Sequence, residues 1–335
     1  MKAPAFWSNP FSRRARFLTP LSYLYRAGGV FRALKARPYE ARVPVLCVGN
    51  IVAGGAGKTP VALALYRLLS KKRPKAKMAF AAYGYGSDKP FKGPVRVDLS
   101  LHNAHDVGDE ALLLAQHGPC WVGAARADVV RAAAREASLI IMDDGLQNPH
   151  IKPTLNLLVI DGAAGFGNER VIPAGPLRET LAHALPRLDA AILIGEDEHH
   201  IAPRIAKPFF KASLLPALPA DFLTRPDVYA FAGIGRPEKF YDSCRQAGLN
   251  IIQLAAFPDH HIFTEEEILT LHQEAADMKL RLVTTAKDFV RIPPALQQGI
   301  SVLDISLVFE DPEGLLSLIT EKIRHDFEPK VKKTA

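Results

Sequence analysis

An apolar run at residues 43–48 breaks into Gly49-Asn50-Ile51-Val52-Ala53-Gly54-Gly55-Ala56-Gly57-Lys58-Thr59-Pro60, and a helical pattern begins at once over residues 58–69. This order of strand, glycine loop and helix constrains the fold more than any other feature. Glycines let successive backbone N–H groups close around phosphate oxygens, and the helix N-terminus adds positive partial charge. Lys58 is placed to reach the β- and γ-phosphates and Thr59 to ligate Mg²⁺. Val52 stands where the strict GxxxxGK[ST] pattern has its first glycine, but the Gly-Gly-Ala-Gly-Lys-Thr core is complete. The candidate nucleotide-binding residues are therefore Val52, Ala53, Gly54, Gly55, Ala56, Gly57, Lys58 and Thr59; the competing explanation is a glycine-rich structural turn.

A second apolar run, residues 139–142, ends in Asp143 and Asp144, as expected of the acidic partner that organises Mg²⁺ in P-loop enzymes. Short apolar runs alternate with longer helical ones on either side. Strands are expected over 43–48, 78–82, 120–123, 139–142 and 155–160, and helices over 58–69, 109–116 and 127–136. Successive βα units of this kind build a parallel sheet with ligands at the strand carboxyl ends. The stretch 203–226, carrying Pro203, Pro208, Pro216, Pro219 and Pro226, reads as an interdomain connection. Beyond it, strands at 228–232, 251–255, 282–284 and 301–305 and helices at 238–247, 265–278 and 312–324 predict a smaller C-terminal α/β domain. The expected division is an arm at 1–39, a P-loop core at 40–222 and a C-terminal domain at 223–335.

Charge is unevenly placed. The chain holds 42 basic and 35 acidic residues, yet eight basic residues (Lys2, Arg13, Arg14, Arg16, Arg26, Arg32, Lys35, Arg37) and no acid fall within 1–39. Large apolar side chains, among them Phe6, Trp7, Phe11, Phe17, Tyr23, Tyr25 and Phe31, interleave with those charges. The mixture predicts a basic amphipathic helix suited to an anionic membrane surface better than to nucleic acid; a helix packed on its own domain is the alternative. The longest charge-free runs, 43–57 and 111–125, are each 15 residues long, short of the roughly 18–20 apolar residues of a transmembrane helix. Cys47, Cys120 and Cys244 are far apart and form no metal-binding spacing.

The ordered motifs along the chain resemble the tetraacyldisaccharide 4′-kinases of lipid A biosynthesis. The matching residues are Phe6-Trp7, Pro20-Leu21-Ser22-Tyr23-Leu24-Tyr25, the Gly49 to Pro60 loop, Val107-Gly108-Asp109-Glu110, Asp143-Asp144-Gly145-Leu146-Gln147, Gly165-Phe166-Gly167-Asn168, Pro173-Ala174-Gly175-Pro176-Leu177-Arg178-Glu179, Phe231-Ala232-Gly233-Ile234-Gly235, Phe257-Pro258-Asp259-His260 and Thr285-Ala286-Lys287-Asp288. The resemblance implies transfer of the ATP γ-phosphoryl group to the 4′-hydroxyl of an acylated glucosamine disaccharide 1-phosphate. It also implies a peripheral enzyme at the cytoplasmic face of the bacterial inner membrane; no nucleic acid and no obligate protein partner are expected. Tyr83, Asn148 and Ala286 depart from the family pattern, where Arg, His and Glu stand.

On that resemblance Asp109 is the candidate general base and His260 the group that orients it or shares its proton. Read from sequence alone, Asp109 equally starts a helix, where acids favour the dipole, and His260 is a loop histidine beside His261. Glu110, Asp143 and Asp144 join Thr59 as candidate Mg²⁺ ligands, directly or through water. Arg178 either meets phosphate or holds a loop, both suited to a forked guanidinium. Two other classes fit the P-loop: a kinase of a soluble substrate, and a membrane-cycling ATPase switch, which would carry Lys where this chain has Ala53.

Overall fold

The structure, a computed structural model, describes residues 4–85, 87, 90–217, 226–235 and 237–327. Helix α1 (Arg13–Lys35) starts at Ser12, whose side chain accepts the Ala15 N–H. There follow β1 (Val45–Gly49), α2 (Lys58–Lys72), β2 (Met78–Ala82), β3 (Val95–Arg96), α3 (Ala104–Val107), α4 (Asp109–Ala115), β4 (Cys120–Val122), α5 (Arg126–Ala133), β5 (Leu139–Asp143), β6 (Leu155–Asp161), α6 (Leu181–Ala184), β7 (Ala190–Ile194) and β8 (Phe209–Ala217). The second half comprises β9 (Asp227–Ala232), α7 (Pro237–Gln246), β10 (Asn250–Ala256), α8 (Glu265–Asp277), β11 (Arg281–Thr285), α9 (Ala286–Phe289), β12 (Ile300–Phe309) and α10 (Pro312–Phe327).

The described strands form one sheet in the order β10-β9-β11-β12-β8-β7-β6-β1-β5-β2-β4-β3. Pairing is parallel within β10-β9-β11-β12 and within β8-β7-β6-β1-β5-β2-β4. The two parallel blocks meet at an antiparallel seam, β8 against β12, with Leu214 opposite Leu307. The stretch expected as a connection therefore contributes a full strand to the sheet, and the expected boundary at 222 falls in residues 218–225, outside the described residues. Strands β3, β7 and β8 were not foreseen, whereas the other expected elements form with ends shifted by a few residues.

Every residue of β1, β2, β5 and β7 is buried, because a parallel sheet is covered on both faces and its strands read as continuous apolar runs. Leu46 and Val48 face the layer that holds Val61, Leu65 and Leu69 of α2. Val45 and Cys47 face Val129, Val130 and Ala133 of α5 on the other side. In the second block Val228, Ala230 and Ala232 pack with Phe240 and Cys244 of α7, and Tyr229 and Phe231 with Ile268 and Leu271 of α8. Helix α10 crosses back: Leu315, Leu316, Ile319 and Ile323 join the core beneath α2. All three cysteines are buried and unbonded to one another.

Helix α1 buries only Ala15 and Ser22. Phe17, Leu21, Tyr23, Leu24, Tyr25, Val30, Phe31 and Leu34 are exposed. The helix forms as expected, but its apolar and basic side chains interleave around the circumference instead of separating into two faces. No helix of the described residues is long and apolar enough to cross a membrane.

Candidate active site

Strand β1 lies between β5 and β6, so the glycine loop and Asp143-Asp144 leave the sheet side by side at the carboxyl ends of β1 and β5, where α/β sheets place ligands. Gly57 caps α2 with φ +85°, the left-handed region that favours glycine. Among the described residues the amides of Gly54, Gly55, Ala56 and Gly57 donate to no backbone or side-chain acceptor, while Ala53 N–H is taken by Pro176 O at 2.7 Å. Ala53, expected among the phosphate-facing residues, thus spends its amide on a neighbouring loop. The open amides run from Gly54 into the first turn of α2, the form of an anion cradle.

Thr59 Oγ1 donates to Asp143 Oδ2 at 2.9 Å, and both side chains are buried. Asp143 Oδ1 has no partner, and a buried unpaired carboxylate oxygen is costly. Burial, with Glu110 and Asp144 nearby, raises the Asp143 pKa. A divalent cation beside Thr59 and Asp143 would satisfy that oxygen and offset the crowded negative charge, so the donor set fits Mg²⁺. Among the described residues no three His, Cys, Asp or Glu side chains gather into a metal cage; Mg²⁺ commonly takes one or two carboxylates and completes its shell with water and phosphate. Asp144 adopts φ +58° and meets Lys58 Nζ at 3.9 Å and Arg178 Nη1 at 3.2 Å through both carboxylate oxygens. Arg178 therefore pairs with a carboxylate of the site.

The facing wall comes from α4 and the second sheet block. Gly108 (φ +84°, ψ 151°) turns the chain so that Asp109 and Glu110 open α4. Asp109 is buried; its Oδ2 accepts from Arg291 Nη2 and lies 3.5 Å from His260 Nδ1, while its Oδ1 has no partner. Burial opposes its ionisation, but the His260 hydrogen bond and the charges of Arg291 and Lys287 prevail and hold Asp109 well below the usual carboxylate range. Asp109 in turn raises the pKa of His260, a residue at φ +60° whose N–H donates to Gly233 O. Glu110 Oε1 is held by Lys287 Nζ at 2.6 Å. The structure thus joins Asp109 to His260 and Thr59 to Asp143, and it gives Glu110 a lysine partner.

Three contributors escaped sequence reading. Arg291 sits inside the apolar stretch Phe289-Val290-Arg291-Ile292; a charge in such a run is the signal of a buried pair. Lys287 belonged to a recognised motif without an assigned role. Arg126 is buried, donates to Asp144 O at 2.6 Å, lies over the Tyr83 ring, and leaves Nε and Nη1 unpartnered; its sequence surroundings carry no signal. A loop spanning 166–178 braces the glycine loop, since Val52 bridges Leu177 and Arg178 N–H donates to Ile51 O. The same loop receives the arm: Trp7 Nε1 donates to Pro173 O, Ser22 Oγ to Val171 O and Asn168 Nδ2 to Phe6 O.

A parallel sheet whose glycine loop, lysine and threonine face a strand-end aspartate defines a P-loop phosphotransferase fold. The chain belongs to the tetraacyldisaccharide-1-P 4′-kinase (LpxK) family, whose model matches residues 14–324. The tetraacyldisaccharide 4′-kinase of Parvibaculum lavamentivorans is 47% identical over 88% of this chain and 88% of its own length. That of Rhodospirillum centenum is 46% identical over 95% and 96%. A crystal structure of LpxK from Aquifex aeolicus in complex with ATP superposes with a TM-score of 0.74 at 26% identity, covering 92% of this chain and 99% of that one.

Proposed function

We propose that this protein transfers the γ-phosphoryl group of ATP to the 4′-hydroxyl of a tetraacylated glucosamine disaccharide 1-phosphate. The observation that carries the reading is Asp109, a buried carboxylate with one oxygen clamped and the other unpaired, set at the start of α4, which packs against the P-loop helix α2. The amides from Gly54 to Thr59 bind the phosphates, and Lys58 neutralises charge that develops on the transferring group. Thr59 and Asp143 would hold Mg²⁺, with Glu110 and Asp144 carrying negative charge nearby; the ion would neutralise phosphate charge. Asp109 aligns the acceptor hydroxyl and takes its proton, and His260 steadies the carboxylate. A carboxylate held so far towards its ionised form is a weak base, which suits a loose transition state in which alignment outweighs early proton removal.

The exposed aromatic and basic side chains of α1 support a peripheral seat on an anionic membrane surface, at the cytoplasmic face of the inner membrane, where an acylated substrate resides. They disfavour the kinase of a soluble substrate, whose arm would bury those side chains. The change of strand direction at the β8–β12 seam supports a core unit over 40–222 and a C-terminal unit over 223–335 whose last helix, α10, returns to pack in the core of the first, with 1–39 as the arm. The test is incubation with ATP, Mg²⁺ and the acylated disaccharide 1-phosphate, reading the phosphorylated lipid. Asp109→Ala lowers turnover far more than it weakens ATP binding. Absence of lipid product from folded parental protein, or a raised ATP KM with unchanged turnover in Asp109→Ala, refutes the assignment.

A further inference from the structure

We propose that Arg291, contributed by the C-terminal block, is a positioning residue for phosphoryl transfer: it fixes Asp109 through Oδ2 and leaves Oδ1 to receive the acceptor proton. The inference rests on the reading of Asp109 as proton acceptor. As the new bond forms between the acceptor oxygen and the γ-phosphorus, the bond to the β,γ-bridging oxygen breaks and ADP leaves. The acceptor proton passes to Asp109.

Arg291 is built for a fixed orientation. Its side chain is almost wholly buried, and its fork divides. Nη2 points forward to Asp109 Oδ2 and lies 3.4 Å from His260 Nδ1. Nη1 points back to Gly233 O at 2.8 Å and Asp288 Oδ1 at 3.0 Å. Asp288 is itself fully buried and locked: Thr285 Oγ1 donates to its Oδ2 at 2.7 Å and Gly233 N–H to its Oδ1 at 3.1 Å. The guanidinium is thereby held by groups from β11, α9 and the turn after β9 before it meets Asp109. Without it Asp109 Oδ2 would keep only His260 at 3.5 Å, and the buried charge would lose its closest compensating partner. With it, one oxygen is spoken for and only the other can accept a new hydrogen bond. Gly233 N–H and O serve Asp288 and Arg291, and the same carbonyl accepts from His260 N–H, so Asp109 and His260 are registered to one peptide segment.

Arg291→Lys tests this, because it keeps the charge and much of the volume but loses the fork that reaches both ways. With full-length protein, ATP and the acylated disaccharide 1-phosphate, kcat is expected to fall on the order of 10²-fold, the scale of a misplacement of about 1 Å. The ATP KM stays within about twofold. In an Asp109→Ala background, measured by single turnover, Arg291→Lys lowers the residual rate by less than about twofold, since no carboxylate remains to be positioned. Equal fold-losses in the two backgrounds assign Arg291 a general structural role and overturn the proposal, as does near-parental kcat for Arg291→Lys. Normal turnover by Asp109→Ala overturns the proton-acceptor reading together with this one, which separates the two failures. Should Arg291→Lys not fold, Asp288→Asn weakens the rear brace alone, and its cycle with Asp109→Ala is read by the same criterion.

Discussion

Gly108 immediately precedes the buried Asp109, and Gly108→Ala probes how tightly that carboxylate is placed. Its φ of +84° and ψ of 151° fall in a region essentially confined to glycine, so alanine incurs about 1–3 kcal/mol of backbone strain. An added Cβ would also strike the Tyr85 carbonyl oxygen and approach Gly84 C to 3.1 Å. These are backbone atoms that no rotamer change can move aside, so α4 or the 84–85 segment must shift, at a further cost of about 1–3 kcal/mol, the scale of overpacking. Together the loss is about 2–6 kcal/mol in unfolding free energy, against roughly 5–15 kcal/mol for a typical fold. The folded fraction should lose activity on the order of 10²-fold in kcat as Asp109 is displaced. Urea unfolding and steady-state kinetics measure the two effects. Gly29→Ala is the control: no atom lies within 4 Å of its Cβ position, and alanine favours the helix by about 1 kcal/mol. A Gly108→Ala protein within about 0.5 kcal/mol of the parent and with unchanged kcat refutes the reasoning.

Lys58→Ala should lower phosphoryl transfer at least ~10²-fold with the fold intact, and near-normal turnover at saturating ATP by the folded variant removes the P-loop assignment. Changing Arg13, Arg14 and Arg16 to Gln forfeits roughly 1 kcal/mol of surface attraction per residue before screening. Sedimentation with anionic vesicles should then fall and the lipid KM rise while the ATP KM holds; equal sedimentation with neutral and anionic vesicles contradicts an electrostatic role. The hydrogen bond to Asp109, aided by its negative charge, outweighs burial and raises the His260 pKa above 6.5, so its stabilisation is complete below pH 6.5 and is lost as pH rises through the raised value. His260→Gln should therefore lose more stability relative to the parent below pH 6.5 than above the raised value; a difference that stays constant as pH rises, measured by urea unfolding, excludes the pairing.

The nucleotide half of the site was legible because its signals are local. Gly57, Lys58 and Thr59 adjoin one another, and the strand ending in Asp143 announces itself by an unbroken apolar run. The opposite half depends on contacts across the chain. Arg291 meets Asp109 across 182 residues and Lys287 meets Glu110 across 177, distances over which no periodicity carries information. Strand β8 was hidden by the prolines in and beside it: Pro208 precedes it, and Pro216 sits where β8 pairs with Ile305 of β12, at a strand end where a missing N–H is tolerated. The arm was read correctly as a helix, but composition alone does not report how side chains distribute around it. Ala53 counts among the nucleotide-binding residues because the motif counts positions, whereas the 166–178 loop reaches in from a distant part of the chain and claims its amide.

That loop has a practical consequence for anyone handling the protein. Removing the greasy arm is an obvious route to a better-behaved preparation, yet residues 6, 7 and 22 are fastened to the very segment that shores up the glycine loop from outside. A protein trimmed of residues 1–35 would lose those fastenings along with its exposed aromatics. A fall in nucleotide affinity after such trimming would report the unbraced 166–178 segment, and a rate measured on the shortened chain would describe a different machine. Substituting exposed positions such as Phe17, Leu24 and Leu34 with polar residues, while keeping Trp7 and Ser22, reduces the apolar surface and preserves the frame around ATP.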